Sequence, residues 1–217
     1  MKKFKQIKAV LFDMDGVLID ARDWHYEALN EALEIFGMPI SRSDHYAYFD
    51  GLPTKVKLKK ISETKNLPEE LHFFINELKQ KFTMQHVYKK SSPQFIHQYA
   101  LSTLQKQGYK LGVCSNSIRE SMSVMLELAS LKPYLDKYWS AEDVKESKPS
   151  PEIYIKAIEH FGLAPDEVLI LEDNENGIKA AKASGAHYMV IKDVSEVSYI
   201  NIASFIAKLE SKISCKL

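Results

Sequence analysis

The run Ala9-Val10-Leu11-Phe12-Asp13-Met14-Asp15-Gly16 constrains this chain more than any other stretch. An apolar run that ends abruptly in two carboxylates reads as a buried strand delivering acid groups to the edge of a sheet. Ligands of open parallel sheets bind in the crevice beyond the carboxyl ends of the strands, so Asp13 and Asp15 are expected where a substrate sits.

The chain after this strand falls into two patterns. Arg22 to Phe36 carries Trp24, Ala28, Leu29, Ala32, Leu33 and Phe36 at helical spacing, with Gly37 and Pro39 as a stop and Asp20 or Asp23 as a candidate cap. From Ser41 to Tyr88 the periodicity remains helical, with segments starting near Pro53 and after Pro68. The polar stretch Tyr88 to Pro93 then reads as a hinge.

Beyond the hinge, helices alternate with short apolar runs. The spacing predicts strands at Tyr109 to Cys114, Tyr138 to Ser140, Val168 to Leu171 and His187 to Ile191. Helices are predicted over 93–107, Ile118 to Ala129, Pro151 to Phe161, Gly177 to Ser184 and from Ser198 onward. Repeated βα units predict an α/β fold with a doubly wound, Rossmann-like parallel sheet. The expected domains are a core of 1–19 with 92–217 and an inserted helical cap of 20–91.

Composition removes several function classes. Lys plus Arg and Asp plus Glu both total 29, so no global field is available to hold nucleic acid or an acidic membrane surface. No stretch approaches the roughly 20 apolar residues of a membrane span. The basic start meets Asp13 and Asp15 too early for a signal peptide. Two cysteines, Cys114 and Cys215, fit a reducing compartment, so a cytoplasmic location is expected, with no protein partner evident.

Four groups fall at strand ends or in the loops that follow them: Asp13-x-Asp15-Gly16, Ser115-Asn116, Lys148-Pro149, and Glu172-Asp173 with Gly177. Loops at one edge of a parallel sheet converge in space, so these groups are expected to meet. Carboxylates crowded there repel one another, and Mg²⁺, a hard cation that takes a few carboxylates and keeps a position for a phosphate oxygen, suits them. Lys148 and Ser115-Asn116 would supply positive charge and donors to an anion, giving a phosphoryl-transfer site. A calcium loop starting at Glu172 is disfavoured, because its twelfth position would fall at Ala183, where a bidentate Glu is required.

With these four groups in order from Asp13 to Gly177, the sequence resembles the haloacid dehalogenase-like superfamily, in its phosphatase and phosphomutase branch with a helical cap. The resemblance implies that Asp13 is a nucleophile forming an aspartyl-phosphate and that Asp15 is the general acid and base, with its carbonyl on the metal. It also implies that Ser115 and the Asn116 N–H hold phosphoryl oxygens, that Lys148 neutralises phosphate and nucleophile, and that Asp173 ligates Mg²⁺ with Glu172 behind it. The implied activity is Mg²⁺-dependent hydrolysis of a small phosphorylated metabolite, with cap movement about Asp20 and Ser91 controlling access.

The cap is where this chain departs from the related β-phosphoglucomutases. Those enzymes carry Lys-Gly and then Arg, whereas here the stretch reads Asp50-Gly51-Leu52-Pro53-Thr54, and Ala21 stands where they have Thr. The phosphatase reading is therefore preferred. His25 matches a histidine used by the mutases and keeps that alternative open; a non-catalytic binding protein is the third reading. His25, Gly51 and Lys55 are the cap candidates for substrate contact. The run Lys55 to Lys60 otherwise reads as a solvated helix face, and Cys114 as core filler.

Overall fold

The computed structural model describes residues 6–214. Contacts divide the chain into two compact units, Met1–Asp20 with Ser92–Leu217, and Ala21–Ser91.

In the first unit, β1 (Ala9–Phe12), β2 (Lys110–Cys114), β3 (Lys137–Trp139), β4 (Val168–Glu172) and β5 (His187–Val190) form one sheet in the order β3-β2-β1-β4-β5. Every pairing is parallel. β1 is central and wholly buried, which is why it reads as unbroken apolar residues rather than as alternation. Its register, Phe12 beside Val113 and Leu171, brings the ends of three strands level.

Side-chain alternation then decides which residues share a face. Ala9 and Leu11 of β1, Cys114 of β2, and Val168 and Ile170 of β4 pack on one side against Ile153, Tyr154 and Ala157 of a helix spanning Glu152–His160. Carried one step further along the strands, the same alternation puts Asp13 and Glu172 on that face. Gly112 sits where β2 is pressed between its neighbours: a Cβ there would lie 2.8 Å from both Leu11 Cδ2 and Trp139 Cζ3.

Two boundaries differ from the periodicity for local reasons. β4 runs on to Glu172, so this acid is a strand residue with no exposed surface rather than part of the following loop. The next helix begins at Glu175, because the Asn174 side chain caps it by accepting the Gly177 N–H at 2.9 Å. In addition, β3 starts one residue before the predicted Tyr138, at Lys137.

The second unit contains α1 (Arg22–Glu34), α2 (Thr54–Lys65) and α3 (His72–Lys90), with a π-helical turn at His45–Phe49. Leu29, Leu33, Ile40, Phe49, Leu58, Ile61 and Ile75 form its core. Neither Asp20 nor Asp23 caps α1, whose N-cap is Ala21. The Asp23 carboxylate is taken instead by Arg42 and by the Tyr46 hydroxyl, each at 2.7 Å. The buried stripe of α3 is Ile75, Lys79, Thr83 and Val87, so two polar residues lie within an otherwise apolar row.

Among the described residues no helix is long and apolar enough to cross a membrane. Cys114 is buried as expected, and burial pushes its thiol up; Cys215 lies outside the described residues.

Two buried histidines link this packing to pH. His97 has its Nε2 2.8 Å from the Val194 carbonyl, and burial holds its pKa below the ordinary value against the carbonyls of Val194 and Leu18. His45 is held down to about 4, by burial first and then by Lys57. The folded state therefore binds fewer protons than the unfolded chain as pH falls through the ordinary histidine value, and stability falls with it. Urea unfolding midpoints should drop between pH 7 and pH 5, and the drop should be shallower in the His45→Gln, His97→Gln double variant.

Candidate active site

The charged centre of the first unit is Lys148. Its Nζ donates to Asp13 Oδ1 at 2.6 Å, to Glu172 Oε1 at 2.7 Å and to the Cys114 carbonyl at 2.8 Å, which uses all three ammonium hydrogens. The three acceptors come from the ends of β1, β4 and β2. Lys148 is 3% exposed, so the ion pairs are sealed from solvent.

The backbone around Lys148 is held by Asn116. Its Oδ1 accepts the Lys148 N–H at 3.0 Å and its Nδ2 donates to the Lys148 carbonyl at 3.3 Å, tying the loop after β2 to the lysine loop. Ser115 is buried beside it, and its Oγ accepts the Ser117 N–H at 3.0 Å. The Asp13 to Asp15 segment turns sharply: Leu18 and Ile19 donate to the Met14 carbonyl, and Gly16 takes φ +86°, a value open to glycine.

Acidic side chains outnumber the lysine. Asp13, Glu172 and Asp173 each place a carboxylate oxygen within 4.8 Å of the others, and Asp15 is close enough to act on the Asp13 charge. Burial pushes the Asp13 carboxyl well above the ordinary range, Glu172 pushes it the same way, and Lys148 opposes them; Asp173 and Asp15 add to the rise. For Lys148 burial acts downward, but Asp13 and Glu172 outweigh it and hold the ammonium protonated.

The model of the family described as haloacid dehalogenase-like hydrolase matches residues 10–191. The chain belongs to this family. It is 30% identical over 179 residues to a phosphoglycolate phosphatase of Aquifex aeolicus, with 82% of each chain covered. It is 29% identical over 182 residues to a phosphorylated carbohydrates phosphatase of Thermotoga maritima, again with 82% of each covered. The crystal structure of a β-phosphoglucomutase from Clostridium difficile shares the fold, with a TM-score of 0.81 at 20% identity over 94% of this chain and 99% of that one.

In this haloacid dehalogenase-like hydrolase the donor set is all oxygen and strongly anionic, which fits a hard divalent cation. Asp13 and Asp173 are the acids best placed to hold one. Glu172 is occupied at both oxygens: Oε1 accepts from Lys148 and, at 2.5 Å, from the Tyr154 hydroxyl, while Oε2 accepts the Asp173 N–H at 3.1 Å.

Two residues of this region, Tyr154 and Ser117, were not singled out by sequence reasoning, and a third, Gly177, was given no physical role. Tyr154 is fully buried, with Lys148 Nζ 4.8 Å from its ring centroid, and it read only as part of a helix stripe. Ser117 Oγ donates to Asp15 Oδ2 at 2.8 Å; the run Ser115-Asn116-Ser117 was its one available signal. Gly177 was noted within its motif, but its role is steric: a Cβ there would fall 1.9–2.1 Å from the Glu172 carboxylate.

The candidates in the 21–91 unit are spread out. His25 lies on α1 with Nδ1 3.5 Å from Lys79 Nζ. Gly51 follows the π-helical turn at φ +68°. Lys55 is exposed in the first turn of α2, whereas Lys57, read from the sequence as solvated, is buried, because the Lys57 side of α2 packs onto the π-helical turn that carries His45.

The network predicts unequal losses. Lys148→Met leaves two buried carboxylates without a counter-charge and should destabilise metal-free protein by about 3–5 kcal/mol. Tyr154→Phe removes one of the bonds to Glu172 and should lower stability by about 1.5–3 kcal/mol. Denaturant melts of both variants beside the parent check this order.

Proposed function

We propose that this chain is a Mg²⁺-dependent phosphatase that hydrolyses a small phosphomonoester through an aspartyl-phosphate on Asp13. The observation that carries this reading is the buried Lys148 clamped between Asp13 and Glu172, with Asp173 alongside. Lys148 occupies one oxygen of Asp13 and leaves Oδ2 as the attacking atom.

In the first half, Asp13 Oδ2 bonds to phosphorus as the bond from phosphorus to the leaving oxygen breaks, and Asp15 gives that oxygen its proton. In the second half a water bonds to phosphorus, Asp15 takes the water's proton, and the bond to Asp13 breaks to release inorganic phosphate. Ser115 and the Asn116 N–H hold the phosphoryl oxygens, and Lys148 keeps Asp13 aligned while meeting the negative charge. Mg²⁺, held by Asp13, Asp173 and the Asp15 carbonyl, with Glu172 behind them, would neutralise further charge on the transferring group. Ser117 holds Asp15 through its carboxylate.

The 21–91 unit is assigned as the cap that selects the substrate, through residues including His25, Gly51 and Lys55. The substrate class is a small phosphorylated metabolite, a reading supported by relatives named for phosphoglycolate and phosphorylated carbohydrates. Asp50, standing where the mutases carry lysine, weighs against a sugar bisphosphate and so against the phosphomutase alternative.

Phosphate release from a panel of metabolite phosphates should require Mg²⁺, fall at least about 10³-fold in Asp13→Asn, and stop on chelation. Conversion of glucose-1-phosphate to glucose-6-phosphate without phosphate release would overturn the phosphatase reading.

A further inference from the structure

The Ser117 hydroxyl donates to Asp15 Oδ2 at 2.8 Å. A serine side chain turns about a single bond, so the backbone beneath it decides where the hydroxyl can point. Both backbone groups of Ser117 are taken: its N–H donates to Ser115 Oγ at 3.0 Å, and its carbonyl accepts the Ala141 N–H at 3.1 Å. The second bond comes from a different loop, the turn Ala141–Asp143 that follows β3.

Asp143 is the hub of that turn. Its Oδ2 accepts the Ser140 N–H at 2.8 Å and the Ser140 hydroxyl at 2.9 Å, and the Ser140 oxygen accepts the Glu142 N–H at 3.3 Å. Its Oδ1 accepts from the guanidinium of Arg119, two residues beyond Ser117. The helix Arg119–Leu128 has no side-chain cap from its own N-cap residue, Ile118. Glu142 Oε2 supplies one from the other loop by accepting the Arg119 N–H at 2.9 Å. Burial acts upward on the Asp143 carboxyl, but its bonds to Ser140 and Arg119 outweigh it and hold the group below the usual carboxylate value. The Arg119 and Asp143 side chains are 48% and 24% exposed, and an ion pair that wet contributes little to stability. What it fixes is the position of one loop on the other.

We propose that Arg119, Glu142 and Asp143 are positioning residues that lock the turn after β3 onto the Ser117 backbone and so aim Asp15 at the leaving oxygen. The inference rests on the general-acid role proposed for Asp15 and adds residues that act through Ser117 rather than on the substrate. A general acid contributes only within hydrogen-bond reach of the atom it protonates, and small displacements cost rate steeply.

The clamp predicts a dependence on the leaving group. Phenyl phosphate and p-nitrophenyl phosphate are close in shape, but nitrophenolate departs with less help from an acid than phenolate does. In Arg119→Ala and in Asp143→Ala, kcat/KM should fall about 10-fold for phenyl phosphate and only about 2-fold for p-nitrophenyl phosphate. Arg119→Ala should melt close to the parent, and Arg119→Lys, which keeps a charged donor to Asp143, should recover most of the lost rate. Adding Arg119→Ala to Ser117→Ala should cost nothing further, because the clamp works through the Ser117 hydroxyl. Equal falls for the two esters, losses that add in the double variant, or an Arg119→Ala defect confined to KM would overturn the inference and leave the phosphatase reading standing. A parent inactive on both esters and on metabolite phosphates would overturn the two together.

Discussion

The arrangement of the first unit depends on one ammonium group buried between two carboxylates. Asp13 and Glu172 stand at the ends of adjacent strands on the same face, where neither charge is tolerable without compensation. Lys148 compensates both and spends its third hydrogen on the Cys114 carbonyl, so one side chain reads the register of β1, β2 and β4 together. A slip of a single residue in β1 or β4 would turn an acid to the opposite face and cost the lysine one of its two carboxylate partners. The same contact that aligns Asp13 thus also selects the sheet pairing.

That clamp is itself supported from behind. Tyr154 donates to Glu172, Asn116 grips the Lys148 backbone from both sides, and the missing Cβ of Gly177 makes room for the Glu172 carboxylate. Each support comes from a different part of the chain, and each acts on orientation rather than on charge. With three acids and one lysine in the cluster, the balance stays negative, and the pKa of Asp13 is raised by burial first and by that excess second. The divalent cation proposed for this cluster would relieve it.

Much of this was legible in the sequence, for a physical reason. Residues at the ends of parallel strands are fixed in space by the sheet, so an apolar run followed by a polar pair is enough to place Asp13, Ser115 and Glu172 near one another. Tyr154 and Ser117 were not legible, because their importance lies in distance across the fold. In the sequence Tyr154 is one apolar residue in the stripe Ile153-Tyr154-Ala157-Ile158, and nothing in that pattern separates a hydroxyl with a partner from an aromatic filling space. The start of the Glu175 helix was misjudged because the cap is Asn174, three residues ahead of Gly177.

Lys57 shows the opposite limit. Within Lys55-Val56-Lys57-Leu58-Lys59-Lys60 it is indistinguishable from its neighbours, and a lysine run ordinarily reads as a wet helix face. The helix instead turns Lys57 and Leu58 inward and leaves Lys55, Val56, Lys59 and Lys60 outside. What catches Lys57 is His45, presented by a π-helical turn that no periodicity announces. A long flexible side chain reaches solvent whenever a path exists. A lysine kept inside beside another lysine and a buried imidazole is therefore held by the packing of α2 rather than by its own preference. The two buried lysines are handled differently: Lys148 has all three ammonium hydrogens matched by acceptors of its own unit, whereas Lys57 meets one ring nitrogen.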